Sequence, residues 1–436
     1  MQLIDTENPF VKFLASCGQK HLLSNVPSHA RQSVYGQCRH LDQYWVKPQN
    51  LYNNINTIYI ISLDGIGSKE LYALWENNKY TCTPLVSAEF LSEHTTILFD
   101  NSAEGFCDQH MFKFLSQVVH HYKLNPQRTF YCNSTANITE IQNKTPYTNF
   151  KTFCSNNFLE DSMAELYESL NYEFVEDNKL FDIESNLQKQ FLYSCLNNAP
   201  KHHRVLLLGC LAQKDLLQYG YVSSPNIPFD ELFEKTITDL QTDLSNKTIS
   251  ISEFSQALEW LDCLQSVYPI SADERNEDSI HMKQFGDESF MNNMLNCDIQ
   301  VITETFANDN LFVSEKIFKP IVMCQPFLIL GSTKTHKHLE DLGYKTFDYL
   351  INTKELDTSR NIVQKITAIC NTIQQLKDTK QQPIEWKQLN DKMAVDIIHN
   401  YNHFVSRLNK IKQQSILGLQ EFFEIRPGYR LPLTAQ

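Results

Sequence analysis

At 436 residues the chain is long enough for two or three domains, each burying a core of its own. A hydrophobic content of 42% and a charged content of 20%, with only 12 Gly and 15 Pro, argue against a disordered, collagen-like or low-complexity chain. The formal net charge of −13 argues against a chain-wide attraction to nucleic acid or an anionic membrane, and leaves room only for a local basic pocket.

The first strand signal is Thr57–Leu63, a β-branched and aromatic run. The turn Asp64-Gly-Ile-Gly follows, then a helical pattern over 70–77. This turn has the start of a dinucleotide-binding glycine loop, but Glu70 stands at the third glycine position, so a tight turn is the better account. A second strand, Thr95–Asp100, runs into the polar loop 101–105, with a helix expected over 108–122 and a short strand at Thr129–Cys132. Strand and helix alternate here as they do in a parallel sheet covered by helices. The acidic, polar stretch 172–186 interrupts the pattern and marks a boundary.

The pattern restarts with a strand at Phe191–Leu196 and a helix in which Val205, Leu208, Leu211 and Leu216 recur, with Gly220 as its stop. Strands follow at Asp298–Glu304, Pro326–Leu330 and Lys345–Tyr349, separated by helices at 314–324 and 334–342, and the chain is then helical over 354–424 with a break near Pro383. The expected fold class is therefore α/β, with two Rossmann-like lobes facing a cleft and a helical C-terminal region. The divisions are an N-terminal lobe over 1–185, a C-terminal lobe over 186–353, and a helical tail over 354–436 that packs on the lobes. No solenoid-length repeat is present.

The 12 cysteines are scattered, with no Cys-x-x-Cys pair, and read as core thiols rather than a disulfide framework. The N-terminus lacks the basic and apolar regions of a signal peptide, and no apolar run approaches the roughly 20 residues of a transmembrane helix. The expectation is a protein made in the cytoplasm with no transmembrane segment; export by a route without a cleavable signal stays open. Sequons at Asn133, Asn137, Asn143 and Asn246 carry no weight in that setting.

Chemistry concentrates in 302–321. Glu304 ends a predicted strand, where ligands bind in open α/β sheets. Ser314 is placed to cap the next helix, whose first turns carry Glu315, Lys316 and Lys319. A helix N-terminus with lysines suits a diphosphate, and a carboxylate suits ribose or sugar hydroxyls. The plainer account has Glu315 complementing the helix dipole and the lysines coating a solvated face. Lys201-His-His-Arg204 also opens a helix directly after a strand, as a second basic cluster.

Glu304, the Ser314-Glu-Lys316 triplet and the Gln325-Pro-Phe-Leu-Ile-Leu-Gly331 strand together resemble the donor-binding signature of α1,3-fucosyltransferases. The run Ser314–Ile321 is closer still to bacterial and viral proteins regarded as fucosyltransferase-like, which also resemble this chain from Asn197 to Gly220. Two departures are Thr305, where the fucosyltransferases carry Asn, and Ser314 in place of their Thr. The resemblance implies a GT-B fold, with the N-terminal lobe binding the acceptor and the C-terminal lobe the donor, that moves a sugar, first of all fucose from GDP-fucose, from a nucleotide diphosphate donor to a glycan or protein acceptor. In that reading Arg204 contacts the diphosphate, Glu304 and Glu315 bond the sugar or ribose, Lys316 pairs with a phosphate, and Asn197, Ser314 and Lys319 complete the donor site. The chain has no Asp-x-Asp and no His/Cys ligand cluster, so metal-independent, inverting transfer with no cofactor and no nucleic-acid partner is expected. Glu104, after the second strand, is the first choice of general base, with Asp100 and Asp64 as alternatives. A GT-B enzyme with another donor, or a noncatalytic nucleotide-sugar or glycan-binding protein, stays open beside this reading.

Overall fold

A computed structural model of the chain describes residues 57–62, 95–101, 108–121, 123–154, 189–197, 199–270 and 293–422. The chain divides into two compact units, Met1–Asp161 with Ile411–Gln436, and Ser162–Lys410. The stretch 172–186, read from the sequence as a boundary, lies outside the described residues.

The first unit holds β1 (Thr57–Ser62), β2 (Thr95–Asn101), α1 (Gln109–His121), β3 (Thr129–Asn133), α2 (Ile138–Asn143) and β4 (Lys151–Cys154). The four strands form one parallel sheet in the order β1-β2-β3-β4. Parallel strands covered on both faces have no solvent side, and all five residues of β3 are accordingly buried. Helix α1 turns Met111, Phe112, Phe114, Leu115, Val118 and Val119 inward, the spacing of a one-sided helix. The Phe112 ring meets Tyr131 of β3 edge-on at 6.3 Å. Strand β4 was not visible in the sequence, because Lys151-Thr-Phe-Cys154 is four residues long with its first residue exposed.

The second unit contains β5 (Phe191–Cys195), α3 (His202–Gln213), β6 (Gly220–Val222), α4 (Phe229–Ser245), α5 (Ile251–Gln265), β7 (Cys297–Thr303), α6 (Glu315–Val322), β8 (Phe327–Leu330), α7 (Thr335–Asp341), α8 (Thr353–Thr358), α9 (Ile362–Lys380) and the part of α10 (Pro383–Phe422) that runs as far as Lys410. Its sheet is also wholly parallel, in the order β6-β5-β7-β8. The chain leaves β5 toward β6 on one side, then returns past it to β7 on the other. That reversal makes the carboxyl ends of β5 and β7 the switch point of the sheet, the place where open parallel sheets bind ligands.

Helix α3 is buried from His203 to Leu211, which a one-sided helix would not be. It packs on α4, α5 and α9. Its approach to α5 is set by Gly209, where a Cβ would lie 2.4 Å from the Trp260 carbonyl oxygen. Helix α5 begins with a capping box, Ser250 Oγ accepting from the Glu253 N–H and Glu253 Oε2 accepting from the Ser250 N–H at 2.7 Å. Helix α9 turns Ile362, Val363, Ile366, Ile369, Cys370, Ile373 and Leu376 inward and contacts β5 and β8. The helices that follow residue 353 as far as Lys410 group with the second sheet. The break expected near Pro383 falls at 381–382, and Pro383 opens α10, where its missing N–H has no helical partner to lose.

Two expectations are corrected. Gly220 does not stop α3; the helix ends at Gln213, Asp215 takes the left-handed conformation with φ 53°, and Gly220 opens β6 against the Tyr193 ring. Lys345–Tyr349 is not a strand. Its alternation is real, but Phe347 has φ 56°, incompatible with a pleated strand. The Asn400 side chain also takes the place of a strand neighbour, its Oδ1 accepting from the Lys345 N–H at 2.7 Å and its Nδ2 donating to the Lys345 carbonyl at 3.0 Å.

Among the described residues no helix is long and apolar enough to cross a membrane. None of the described cysteines is in a disulfide, and Cys132, Cys195, Cys210, Cys297, Cys324 and Cys370 are buried.

Gly209→Ala forces α3 and α5 apart against backbone rather than a flexible side chain. We expect it to lower stability by about 1–3 kcal/mol, read as a lower urea midpoint. A midpoint equal to that of the parent chain would show that the two helices have room between them.

Candidate functional site

The carboxyl ends of β5, β6 and β7 are stitched together by buried polar side chains. Asn197, two residues beyond β5, is fully buried. Its N–H donates to Ser223 Oγ after β6 at 3.1 Å, and its Oδ1 accepts from the Thr303 hydroxyl at the end of β7 at 2.7 Å. The Asn197 Nδ2 donates to Cys195 Sγ at 3.3 Å. This bond across the switch point fills the innermost layer of the strand ends with the protein's own groups.

Glu304, also fully buried, follows at once. Its Oε1 accepts from the Ser314 N–H at 3.1 Å and its Oε2 from the Ser314 hydroxyl at 2.7 Å and the Thr305 N–H at 3.2 Å. A buried carboxylate is tolerated when such donors surround it. The Ser314 oxygen accepts in turn from the Lys316 N–H at 3.4 Å and caps α6. Glu304, Ser314 and the start of α6 are thus brought together, as the sequence suggested. The carboxylate serves the loop, closing the nine residues between Glu304 and Ser314 into a fixed turn. The far side of that loop is fastened to the end of β8, where Ser332 Oγ donates to the Asn310 carbonyl at 2.5 Å and the Thr333 N–H to the Asn308 carbonyl at 3.0 Å.

Helix α6 runs for eight residues, with Pro320 inside it. Lys316 and Lys319 are half-buried in its first two turns. Glu315 opens the helix, and its side chain lies outside the described residues. A capped N-terminus carrying two lysines, following the strand at the switch point, is an anion-favouring edge.

The four residues Lys201–Arg204 do not form one cationic surface. Lys201 is exposed, with its ammonium 5.8 Å from the centre of the Phe306 ring. His202 lies between two carboxylates, Nδ1 3.5 Å from Asp239 and Nε2 3.6 Å from Asp243. The hydrogen bond from His202 holds the Asp239 carboxyl below its ordinary value, whereas burial raises Asp243. His203 is buried, and its Nε2–H donates to the Glu304 carbonyl at 2.9 Å, a tautomer required because a carbonyl can only accept. Arg204 is 2% exposed, and its Nη2 donates to the Thr303 carbonyl at 3.1 Å. The arginine holds the end of β7 from within.

Sequence reasoning missed Thr303, the partner of both Asn197 and Arg204, and Lys365 of α9. The Lys365 ammonium is buried and donates to the Gly331 carbonyl beyond β8 at 2.9 Å, and burial pushes its pKa down to about 8. Nothing in the local sequence marks either residue, since their partners lie 99, 106 and 34 residues away.

Of the expected bases, Glu104 and Asp64 lie outside the described residues. Asp100 is in β2, paired with Ser62 and Cys132, and its side chain lies outside the described residues. Among the described residues no group of three or more His, Cys, Asp or Glu side chains is arranged to hold a metal ion.

No family model matches the chain, and neither the curated proteins nor the solved structures contain a match.

The state of His203 makes stability depend on pH. Burial first, then the charges of His202 and Arg204, lower its folded pKa well below 6.5. The unfolded chain therefore takes up a proton in that window while the folded chain does not. The contribution is complete above about pH 6.5 and is lost as pH falls below it, by up to about 1.4 kcal/mol per unit. Urea midpoints at about pH 7.5 and about pH 5.5 measure the slope, which His203→Asn is expected to flatten. An equal slope in the variant would place the titration elsewhere.

Proposed function

We propose that the chain is a GT-B-type glycosyltransferase that takes its sugar from a nucleoside diphosphate donor, with GDP-fucose the first candidate. The observation that carries this reading is the capped N-terminus of α6, with Lys316 and Lys319, at the switch-point edge of the second sheet. The likeness of 302–331 to fucosyltransferase-type donor motifs supports it from the sequence side.

In this reading Lys316, Lys319 and the first N–H groups of α6 meet the diphosphate. The Glu304–Ser314 bonds hold that helix end in place, and Asn197, Thr303 and Arg204 hold the strand ends behind it. The acceptor oxygen attacks the anomeric carbon, the bond from that carbon to the phosphate oxygen breaks, and the diphosphate leaves with the electron pair. The acceptor proton passes to a carboxylate, for which Glu104 is the first choice. Positive charge and helix N–H groups at the departing diphosphate lower the barrier without a metal. Glu304 and Arg204 take a positioning part here rather than touching the sugar or the phosphates.

Differential scanning fluorimetry of the full chain with GDP, UDP, ADP, GDP-fucose and UDP-glucose tests the reading. One nucleotide series at a hundredfold excess over Kd is expected to stabilise by about 2.7 kcal/mol. Lys316→Ala is expected to weaken that nucleotide by about tenfold to a hundredfold, because a charge-assisted phosphate contact is lost. Stabilisation by none of them contradicts the proposal. Binding without sugar transfer to any glycan or protein acceptor would favour a noncatalytic nucleotide-sugar-binding protein.

A further inference from the structure

Three thiols from three different elements gather in the core of the second unit. Cys195 ends β5, Cys210 stands in the last turn of α3 and Cys370 faces inward from α9, and none is more than 1% exposed. Helices α3 and α9 pack on each other, and α9 also packs on β5. Across the α3–α9 contact the Cys370 and Cys210 thiols share a hydrogen bond, with Cys195 close enough to act on Cys370 electrostatically. Cys195 has a partner of its own, its Sγ accepting from Asn197 Nδ2 at 3.3 Å. The thiols that face each other are therefore Cys210 and Cys370, and both are reduced.

A cysteine oxidised in isolation stops at the sulfenic acid or goes on irreversibly to the sulfinic acid, whereas one oxidised beside a second thiol condenses with it to a disulfide. The contact between Cys210 and Cys370 supplies that second thiol. Burial, and after it the bond with Cys210, pushes the Cys370 thiol well above its ordinary value, so thiolate is scarce and the first step is slow. The oxidant that suits such a place is small and uncharged, entering by local opening of the helices where a bulky or charged reagent does not.

We propose that Cys210 and Cys370 are an oxidation site, a latent disulfide that hydrogen peroxide closes to cross-link α3 and α9. One sulfur attacks a peroxide oxygen, the O–O bond breaks, and the hydroxide released takes that thiol's proton and leaves as water. The second sulfur then attacks the sulfenic sulfur, the S–O bond breaks, and a second water leaves with the remaining thiol proton. Two thiols and one peroxide thus give one disulfide and two waters, the sulfur pair losing the two electrons that the peroxide gains. Helix α3 holds the end of β7 through His203 and Arg204, and α9 holds the residue beyond β8 through Lys365. The cross-link would join the two helices that hold these strand ends, whatever ligand the second unit binds, so its test is separate from that of the transferase reading.

The experiment is non-reducing peptide mapping of the full chain by mass spectrometry. Iodoacetamide first caps the thiols it reaches in the folded protein, and hydrogen peroxide is then added. One peptide pair joined through Cys210 and Cys370 is expected, lighter by two hydrogens than the two thiol peptides. Because the cross-link closes a long loop of the unfolded chain, the urea midpoint is expected to rise on oxidation and to return with dithiothreitol. Cys210→Ala is expected to abolish both changes, and Cys370→Ala serves as a second variant in case the first does not fold. A link through Cys195, sulfinic acid at Cys210 or Cys370 in place of a link, or no linked pair in the oxidised chain overturns the proposal.

Discussion

The Glu304 carboxylate receives the Ser314 N–H, the Ser314 hydroxyl and the Thr305 N–H, and does so with no exposure to solvent. Its backbone is bonded on both sides: the N–H donates to the Leu330 carbonyl of β8, and the carbonyl accepts from His203 of α3. One residue thereby ties together β7, β8, α3 and the start of α6. A carboxylate in such a place is costly unless its donors stay in position, so the charge disfavours every arrangement in which the loop 305–313 swings away. The capped end of α6, and with it the direction of Lys316 and Lys319, follows from that constraint.

This arrangement redistributes the roles that motif matching assigned. A buried arginine bonded to a strand-end carbonyl and a buried carboxylate bonded to a helix cap are parts of a frame. The half-buried lysines and the helix N–H groups are what the frame presents. Residues of the frame fix geometry by being desolvated, while Lys316 and Lys319 stand half-buried at its rim. At the edge of the first sheet Asn133 fixes the turn after β3 by accepting from the Thr135 N–H.

The strands that are continuous apolar runs, such as Phe327–Leu330, were legible because a parallel strand buried on both faces needs an unbroken run. Gly220–Val222 and Lys151–Cys154 were not, being too short to show a period. Lys345–Tyr349 misled for the opposite reason: it alternates like a strand, yet its hydrogen-bonding partner is a side chain 55 residues away. In the candidate site, Ser314 was legible as a cap and Glu304 as a strand end, since both are local facts. The burial of Arg204 was not legible, because an arginine in a run with Lys201 and two histidines reads as solvated until Thr303 is placed beside it.

The most direct test of the central constraint is amide hydrogen exchange, read by mass spectrometry, in Glu304→Gln against the parent chain. The glutamine keeps one acceptor oxygen but turns an NH₂ toward the donors of Thr305 and Ser314. Faster exchange is expected over 305–316 alone, by about tenfold to a hundredfold, corresponding to about 1.4–2.7 kcal/mol of lost protection, while β5 and α9 exchange as before. Unchanged protection over 305–316 would contradict it, and would mean that the loop and α6 are held by their other contacts rather than by the buried charge.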